Sequence, residues 1–310
     1  MALIAIHDLH FRYENGFSAL NGLDLDIAPG EIFGFLGPNG AGKTTTFKVL
    51  VGLLEPTQGQ ALINGRQIGH QEREVYRTVG FMPDLTDLYD DFTVNEFLRF
   101  FGLCHGLSER QLNARLDELL TRFRLTEKRA ELMGTLSKGQ KQKACIMRTM
   151  IHDPAILLLD EPASGLDPFS RSLLHNVLRE EQQRGKTIMI SSHILPELAD
   201  LCTTVGIMYQ GRLVEQGRVG ELLAKYQNPA ATYKLRIIER LELAQQVLHR
   251  LDDLQGIRQL SAETLQIEYN GDPQQVANLL EMLVKSGVRI TGFEKVNKDI
   301  QTIYNEILNE

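Results

Sequence analysis

The sequence predicts an α/β fold built on a mainly parallel sheet, with an inserted helical subdomain and a small α+β unit behind it. Three observations carry that prediction. Short apolar runs without polar alternation, Glu31-Ile32-Phe33-Gly34-Phe35-Leu36 and Ala155-Ile156-Leu157-Leu158-Leu159 among them, read as strands buried on both faces. Helical-period stretches at 44–54 and 171–183 follow or separate such runs, as crossover connections do. Beyond about Tyr226 the pattern resets to the order βαββαβ, the mark of a ferredoxin-like unit.

Each element has its own signal. Thr187-Ile188-Met189-Ile190-Ser191 supplies a further buried strand after the helix at 171–183. Between 87 and 135 the spacing turns to 3.6, with Val94, Phe97, Leu98 and Phe101, then Leu112, Leu116, Leu119 and Leu120, so this stretch is expected to be a helical insertion. Gln227-Asn228-Pro229-Ala230-Ala231 reads as a linker, dividing a first domain at 1–226 from a second at 232–310. In the second, a strand at 232–237 and a helix at 241–251 precede a hairpin at 257–260 and 265–269. Asp272-Pro273 then offers an N-cap and a first-turn proline to a helix ending near Gly287. A strand at 288–296 and an amphipathic helix at 299–308 finish the chain.

Composition narrows the partners. The 310 residues carry 33 basic and 40 acidic side chains, net −7, which argues against a generally basic nucleic-acid binder. From Tyr226 onward there are 9 basic and 12 acidic residues, so the second unit is no basic module either. No apolar run approaches the length that crosses a bilayer, and the N-terminus lacks the basic and apolar regions of a secretory signal. Cys104, Cys145 and Cys202 are isolated from one another, which points to a reducing compartment and away from disulfides or zinc. The expectation is a cytoplasmic chain.

Gly37-Pro38-Asn39-Gly40-Ala41-Gly42-Lys43-Thr44 fits G-x-x-x-x-G-K-[ST], after an expected strand and at the start of an expected helix. Glycines let backbone N–H groups curl around an anion, and the helix N-terminus adds the positive end of its dipole. Lys43 can reach β- and γ-phosphates and Thr44 can ligate Mg²⁺, which makes this a P-loop nucleotide site, with Thr45 beside it. Downstream, Ile156-Leu157-Leu158-Leu159-Asp160-Glu161 is a buried strand ending in two acids, at the sheet edge where ligands bind. Asp160 is a candidate for Mg²⁺, and Glu161 for polarising an attacking water.

Three further motifs complete a set. Leu136-Ser137-Lys138-Gly139-Gln140 opens a helix, Ser164-Gly165-Leu166-Asp167 follows Glu161, and Ser191-Ser192-His193 ends the next strand. With the phosphate loop they resemble the ATP-binding subunits of ABC transporters over residues 3 to about 225, in a joint order more specific than any single motif. The resemblance implies an ABC ATPase and gives each residue a part. Tyr13 stands where the family stacks an aromatic on adenine. Ser137, Gly139 and Gln140 match the signature that contacts the γ-phosphate held by the other subunit. Glu161 matches the catalytic base, Asp167 the acid linking the subunits, and His193 the switch histidine. ATP would then lie between two copies, a homodimer being permitted by the intact motifs, and separate transmembrane permease subunits would carry the substrate. Such a subunit would sit on the inner face of the cell membrane.

Two departures stand out. Lys138 occupies a place usually held by glycine, and can point to solvent or toward phosphate. Asp84, in Gly80-Phe81-Met82-Pro83-Asp84, replaces the longer Gln or Glu that reaches Mg²⁺ and the permease. Some members of the exporter-like branch resemble this chain in having one nucleotide domain and a C-terminal extension, so export is preferred, with pairing or regulation assigned to the extension. The helical region at 89–122 is the candidate permease-docking surface, although most of its apolar residues are expected to be its own core. The alternatives are a soluble ABC-type ATPase acting on ribosome or DNA, and a regulatory nucleotide binder that does not hydrolyse. One phosphate loop and no sustained heptads count against the first, and intact Lys43, Glu161 and His193 against the second.

Overall fold

The computed structural model describes residues 2–69, 73–84, 89–226, 231–249, 251 and 253–296. The chain forms two compact units, Met1–Val219 and Gly220–Glu310.

In the first unit the elements run β1 (Ile4–Arg12), β2 (Ser18–Ile27), β3 (Ile32–Leu36), α1 (Lys43–Leu50), β4 (Gln58–Ile63), β5 (Arg66–Gln67), α2 (Arg73–Thr78) and β6 (Val79–Met82). They continue as α3 (Val94–Cys104), α4 (Glu109–Arg122), α5 (Lys138–Met150), β7 (Ile156–Asp160), α6 (Pro168–Gln183), β8 (Thr187–Ser192), α7 (Leu195–Leu201), β9 (Thr204–Tyr209) and β10 (Arg212–Arg218). Six strands form one sheet in the order β10-β9-β3-β8-β7-β6. All its pairings are parallel except that of β10 with β9. Every residue of β3, β7 and β8 is buried, as continuous apolar strands covered on both faces must be. An antiparallel sheet, β2-β1-β4-β5, is the element that hydrophobic runs alone did not announce. Because β6, β7, β8 and β3 run parallel, their carboxyl ends reach one edge, bringing Asp84, Asp160, His193 and the phosphate loop together from four parts of the chain.

The helical insertion holds α3 and α4, each started by a capping box: Thr93 with Glu96, and Ser108 with Gln111. Val94, Phe97, Leu98, Leu112, Leu116, Leu119 and Leu120 are buried there as a local core, while Tyr89, Phe100 and Leu103 stay exposed. Arg122 of α4 donates to Glu181 (2.6 Å) and Glu180 (3.0 Å) of α6, latching the insertion to the sheet's helical cover.

Helix α1 ends at Leu50, earlier than the expected 54, because Gly52 adopts φ +68° and turns the chain; the apolar Leu53 beyond it is exposed. Helix α6 starts at Pro168 rather than 171, since Asp167 caps it and the proline suits its first turn.

Helix α8 (Val219–Tyr226) begins at the last residue of the first unit, and the second continues with β11 (Ala231–Glu239), α9 (Leu241–Leu248), β12 (Leu254–Ser261), β13 (Thr264–Tyr269), α10 (Pro273–Lys285) and β14 (Arg289–Val296). The four strands are antiparallel in the order β12-β13-β11-β14, so the first and third lie inside and the second and fourth outside, the ferredoxin-like arrangement. Leu235, Ile237, Leu248, Leu265, Ile267 and Leu283 fill its core. Asp272 accepts from the Gln275 N–H as the N-cap of α10. Helix α9 stops at Leu248, short of the expected 251. Residues 227–230 of the expected linker and the expected helix at 299–308 lie outside the described residues.

Candidate nucleotide site

The loop from Gly37 to Gly42 joins β3 to α1. Gly40 and Gly42 adopt φ +82° and +110°, which side chains resist. A Cβ on Gly42 would lie 2.5 Å from the Ala19 carbonyl oxygen, and one on Gly37 2.5 Å from that of Met208. Glycine is therefore required at both positions. Gly42 caps α1 without a side-chain hydrogen bond, so the first-turn N–H groups of the helix face the loop's concavity.

Lys43 is buried at 6% exposure and donates to the carbonyl oxygens of Gly37 (2.5 Å) and Pro38 (3.2 Å). Its Nζ lies 3.9 Å from Glu161 Oε1. Burial pulls its pKa below the usual lysine value, and the carboxylates of Glu161, Asp160 and Asp84 oppose that pull. Thr44 Oγ1 donates to Asp160 Oδ2 at 2.6 Å, and Ser191 Oγ to Asp160 Oδ1 at 2.5 Å. Asp160 is fully buried, and burial raises its pKa against those two hydrogen bonds.

Glu161, immediately after β7, takes φ +50°, a left-handed conformation that costs an L-residue about 1–2 kcal/mol. That turn sends its carboxylate to within 3.1 Å of His193 Nδ1 at both oxygens. Burial raises the Glu161 pKa, while His193 and Lys43 hold it down. His193, at the end of β8, keeps half its side chain exposed (52%).

Lys43, Thr44, Asp160 and Glu161 border an open cleft, lined by residues 38–45 of the loop and helix, Tyr13, Phe17, Ala19, Asp84, Asp160 and Glu161, while His193 stands outside that lining. The Tyr13 hydroxyl lies 3.0 Å from Thr45 Oγ1, and its ring meets Phe11 edge-on. Asn39, Gly40, Thr44 and Thr45 thus line the same cleft as Tyr13 and Asp84.

Ser137, Gly139, Gln140 and Asp167 are not among the residues lining that cleft. Ser137 caps α5, its Oγ accepting from the Gln140 N–H while Gln140 Oε1 accepts from the Ser137 N–H. Asp167 accepts from Ser170 N–H (2.9 Å) and Oγ (2.7 Å), bonds that lower its pKa. The Lys138 side chain runs along Gly165, where a Cβ would come 2.7 Å from Lys138 Cε.

Three residues at the site had no role of their own in the sequence reading. Phe17 adds an exposed aromatic at the cleft mouth. Gln142 donates to the carbonyl oxygens of Pro162 (3.1 Å) and Glu161 (3.4 Å), tying α5 to the turn after β7. Ser191 bridges Asp160 and Glu161. Periodicity could not reveal these partners, because sheet register and helix packing bring them to the site.

A strand–glycine loop–helix anion cradle, with a buried acid at the next strand's carboxyl end, defines a nucleoside-triphosphate-binding α/β protein. Known proteins narrow that class. Residues 20–164 match the family described as ABC transporter. The chain is 36% identical over 224 residues to the ABC transporter ATP-binding protein NatA of Bacillus subtilis, covering 71% of this chain and 91% of that one. It is 39% identical over 207 residues to the Nod factor export ATP-binding protein I of Paraburkholderia xenovorans, covering 67% and 68%. Among solved structures, an ATP-binding subunit of an ABC transporter superposes with a TM-score of 0.67 at 32% identity, over 72% of this chain and 93% of that one. The protein belongs to the ABC transporter family, as one of its ATP-binding subunits.

Proposed function

We propose that two copies of this chain clamp two ATP molecules between them and hydrolyse them to drive a separate membrane permease, in the direction of export. The observation that carries this reading is the run of contacts beside the phosphate loop: Lys43 near Glu161, Thr44 on Asp160, and His193 on Glu161. Lys43 exchanges its loop carbonyls for phosphate oxygens. Glu161, whose burial strengthens its hold on a proton, orients the attacking water and accepts its proton at the carboxylate. His193 steadies that carboxylate and reaches the γ-phosphate from the half-exposed edge of its ring.

Mg²⁺ fits the donor set, because a hydroxyl and a buried carboxylate are hard oxygen ligands. Thr44 and Asp160 would hold it, with Asp84 on the same cleft. Among the described residues no group of three or more His, Cys, Asp or Glu side chains could hold a metal ion. When bound, Mg²⁺ draws charge from the phosphate oxygens.

The second half of each pocket comes from the partner copy. Ser137 leaves the first turn of α5 with N–H groups for a γ-phosphate, yet lies outside its own chain's cleft lining. Among the described residues no helix is long and apolar enough to cross a membrane. In this reading the permease is a separate subunit, with this one on its cytoplasmic side. The exposed Tyr89, Phe100 and Leu103 offer that permease an apolar surface. Export follows the Nod factor relative's name, and the second unit is assigned to pairing or regulation. Removing residues 228–310 should weaken ATP-driven pairing in sedimentation; pairing of unchanged strength would remove that assignment.

The test of hydrolysis is Glu161→Gln. ATP binding should persist while steady-state turnover falls roughly a hundredfold or more, the usual cost of losing a general base. Turnover at the wild-type rate would refute the assignment.

A further inference from the structure

We propose that Ser191 is a positioning residue for hydrolysis: its one hydroxyl, at the end of β8, orients both acids at the end of β7. The inference rests on the reading of Asp160 and Glu161 given above and deepens it.

The register sets the contact. Strands β7 and β8 pair in parallel with Asp160 opposite Ser191. Ser191 is fully buried, so its hydroxyl must find its partners within the protein. It donates its single proton to Asp160 Oδ1 at 2.5 Å and accepts the Glu161 N–H at 2.9 Å. A hydroxyl has one donor and two lone pairs, so it makes both bonds at once. Alanine or valine here would make neither, and a thiol only weak ones.

Both bonds bear on the candidate chemistry. The other Asp160 oxygen is taken by Thr44, so the carboxylate is held from the phosphate-loop helix on one side and from β8 on the other. The Glu161 bond acts on the backbone. At φ +50° the residue leaves the strand, and that departure aims its carboxylate at His193 and near Lys43. The Ser191 oxygen holds the N–H side of this peptide, while Gln142 holds the carbonyls beyond it. One of its bonds goes to neighbouring backbone, but the other goes to a buried carboxylate, so this serine links the candidate metal ligand to the candidate base.

The experiment is steady-state ATPase with ATP affinity and thermal melting on the full-length protein. Ser191→Ala should lower kcat roughly ten- to a hundredfold, the usual cost of losing a group that orients an active-site ligand, while ATP affinity stays close to wild type. Ser191→Cys, which keeps the volume, should fall in the same direction, and serves alone if the alanine variant does not fold. Ser191→Thr, which keeps the hydroxyl, should recover most of the rate. Unchanged kcat in the alanine or cysteine variant would overturn the inference. So would a rate loss matched by equal losses in ATP affinity and melting temperature, since that marks a merely structural role. Glu161→Gln, run alongside, separates the two levels: if it retains turnover, the reading of the site fails, whereas if it stalls while the Ser191 variants turn over normally, only the positioning role fails.

Discussion

At the scale of single residues, steric limits decide which positions of the phosphate loop are interchangeable. Gly40 has φ +82° but open space where a Cβ would go, whereas Gly42 combines φ +110° with a carbonyl oxygen 2.5 Å from that point. Gly42→Ala should therefore cost at least about 2 kcal/mol and abolish tight ATP binding. Gly40→Ala should cost less. Chemical denaturation and ATP titration of the two variants check the contrast, and equal losses would contradict it. The gathering of Lys43, Thr44, Asp160 and Glu161 on one cleft was legible in the sequence because the motifs that carry them have fixed local spacing. Ser191 was visible only as part of a strand-end motif. Its role depends on a residue 31 positions away, brought opposite by β-register, and no periodicity encodes that. The choice open for Lys138 also depended on packing, since its chain lies along Gly165.

Elements were legible where one signal dominated. Continuous apolar runs marked β3 and β7, and Asp272-Pro273 marked α10. Two ends fell elsewhere than expected. The apolar residues after Leu50 extended the helical pattern past Gly52, and α6 begins at Pro168, ahead of the periodic stretch at 171–183, because Asp167 caps it. The joint between α5 and β6 carries a pH dependence. His152 follows α5, its Nε2 lies 3.2 Å from the Val79 carbonyl oxygen, and its ring stacks on His105 at 3.7 Å. Burial, then the neighbouring His105, Lys186 and Arg115, lower its pKa to about 4, although the Val79 bond opposes them. The unfolded chain thus binds a proton near pH 6.5 that the folded chain refuses until about pH 4. The neutral ring's contribution to stability is complete above pH 6.5 and is lost as pH falls toward 4, by about 1–2 kcal/mol after allowance for solvent at the ring edge. Denaturant unfolding at several pH values should show this slope in the wild type and a shallower one in His152→Gln. Identical slopes would exclude His152 as the source.

For the whole molecule, the central claim is that each ATP pocket is shared by two copies. Within one chain, Lys43 lines the cleft and Ser137 does not, although the signature helix is anchored to the Glu161 turn through Gln142. The most direct measurement mixes two variants, each inactive alone: Lys43→Ala and Ser137→Arg. In a mixed pair one pocket inherits both defects and the other is intact. ATPase activity should therefore return on mixing, to roughly a quarter of the wild-type rate if pairing is random and the intact pocket works alone. A mixture no more active than its separate components would contradict the shared pocket.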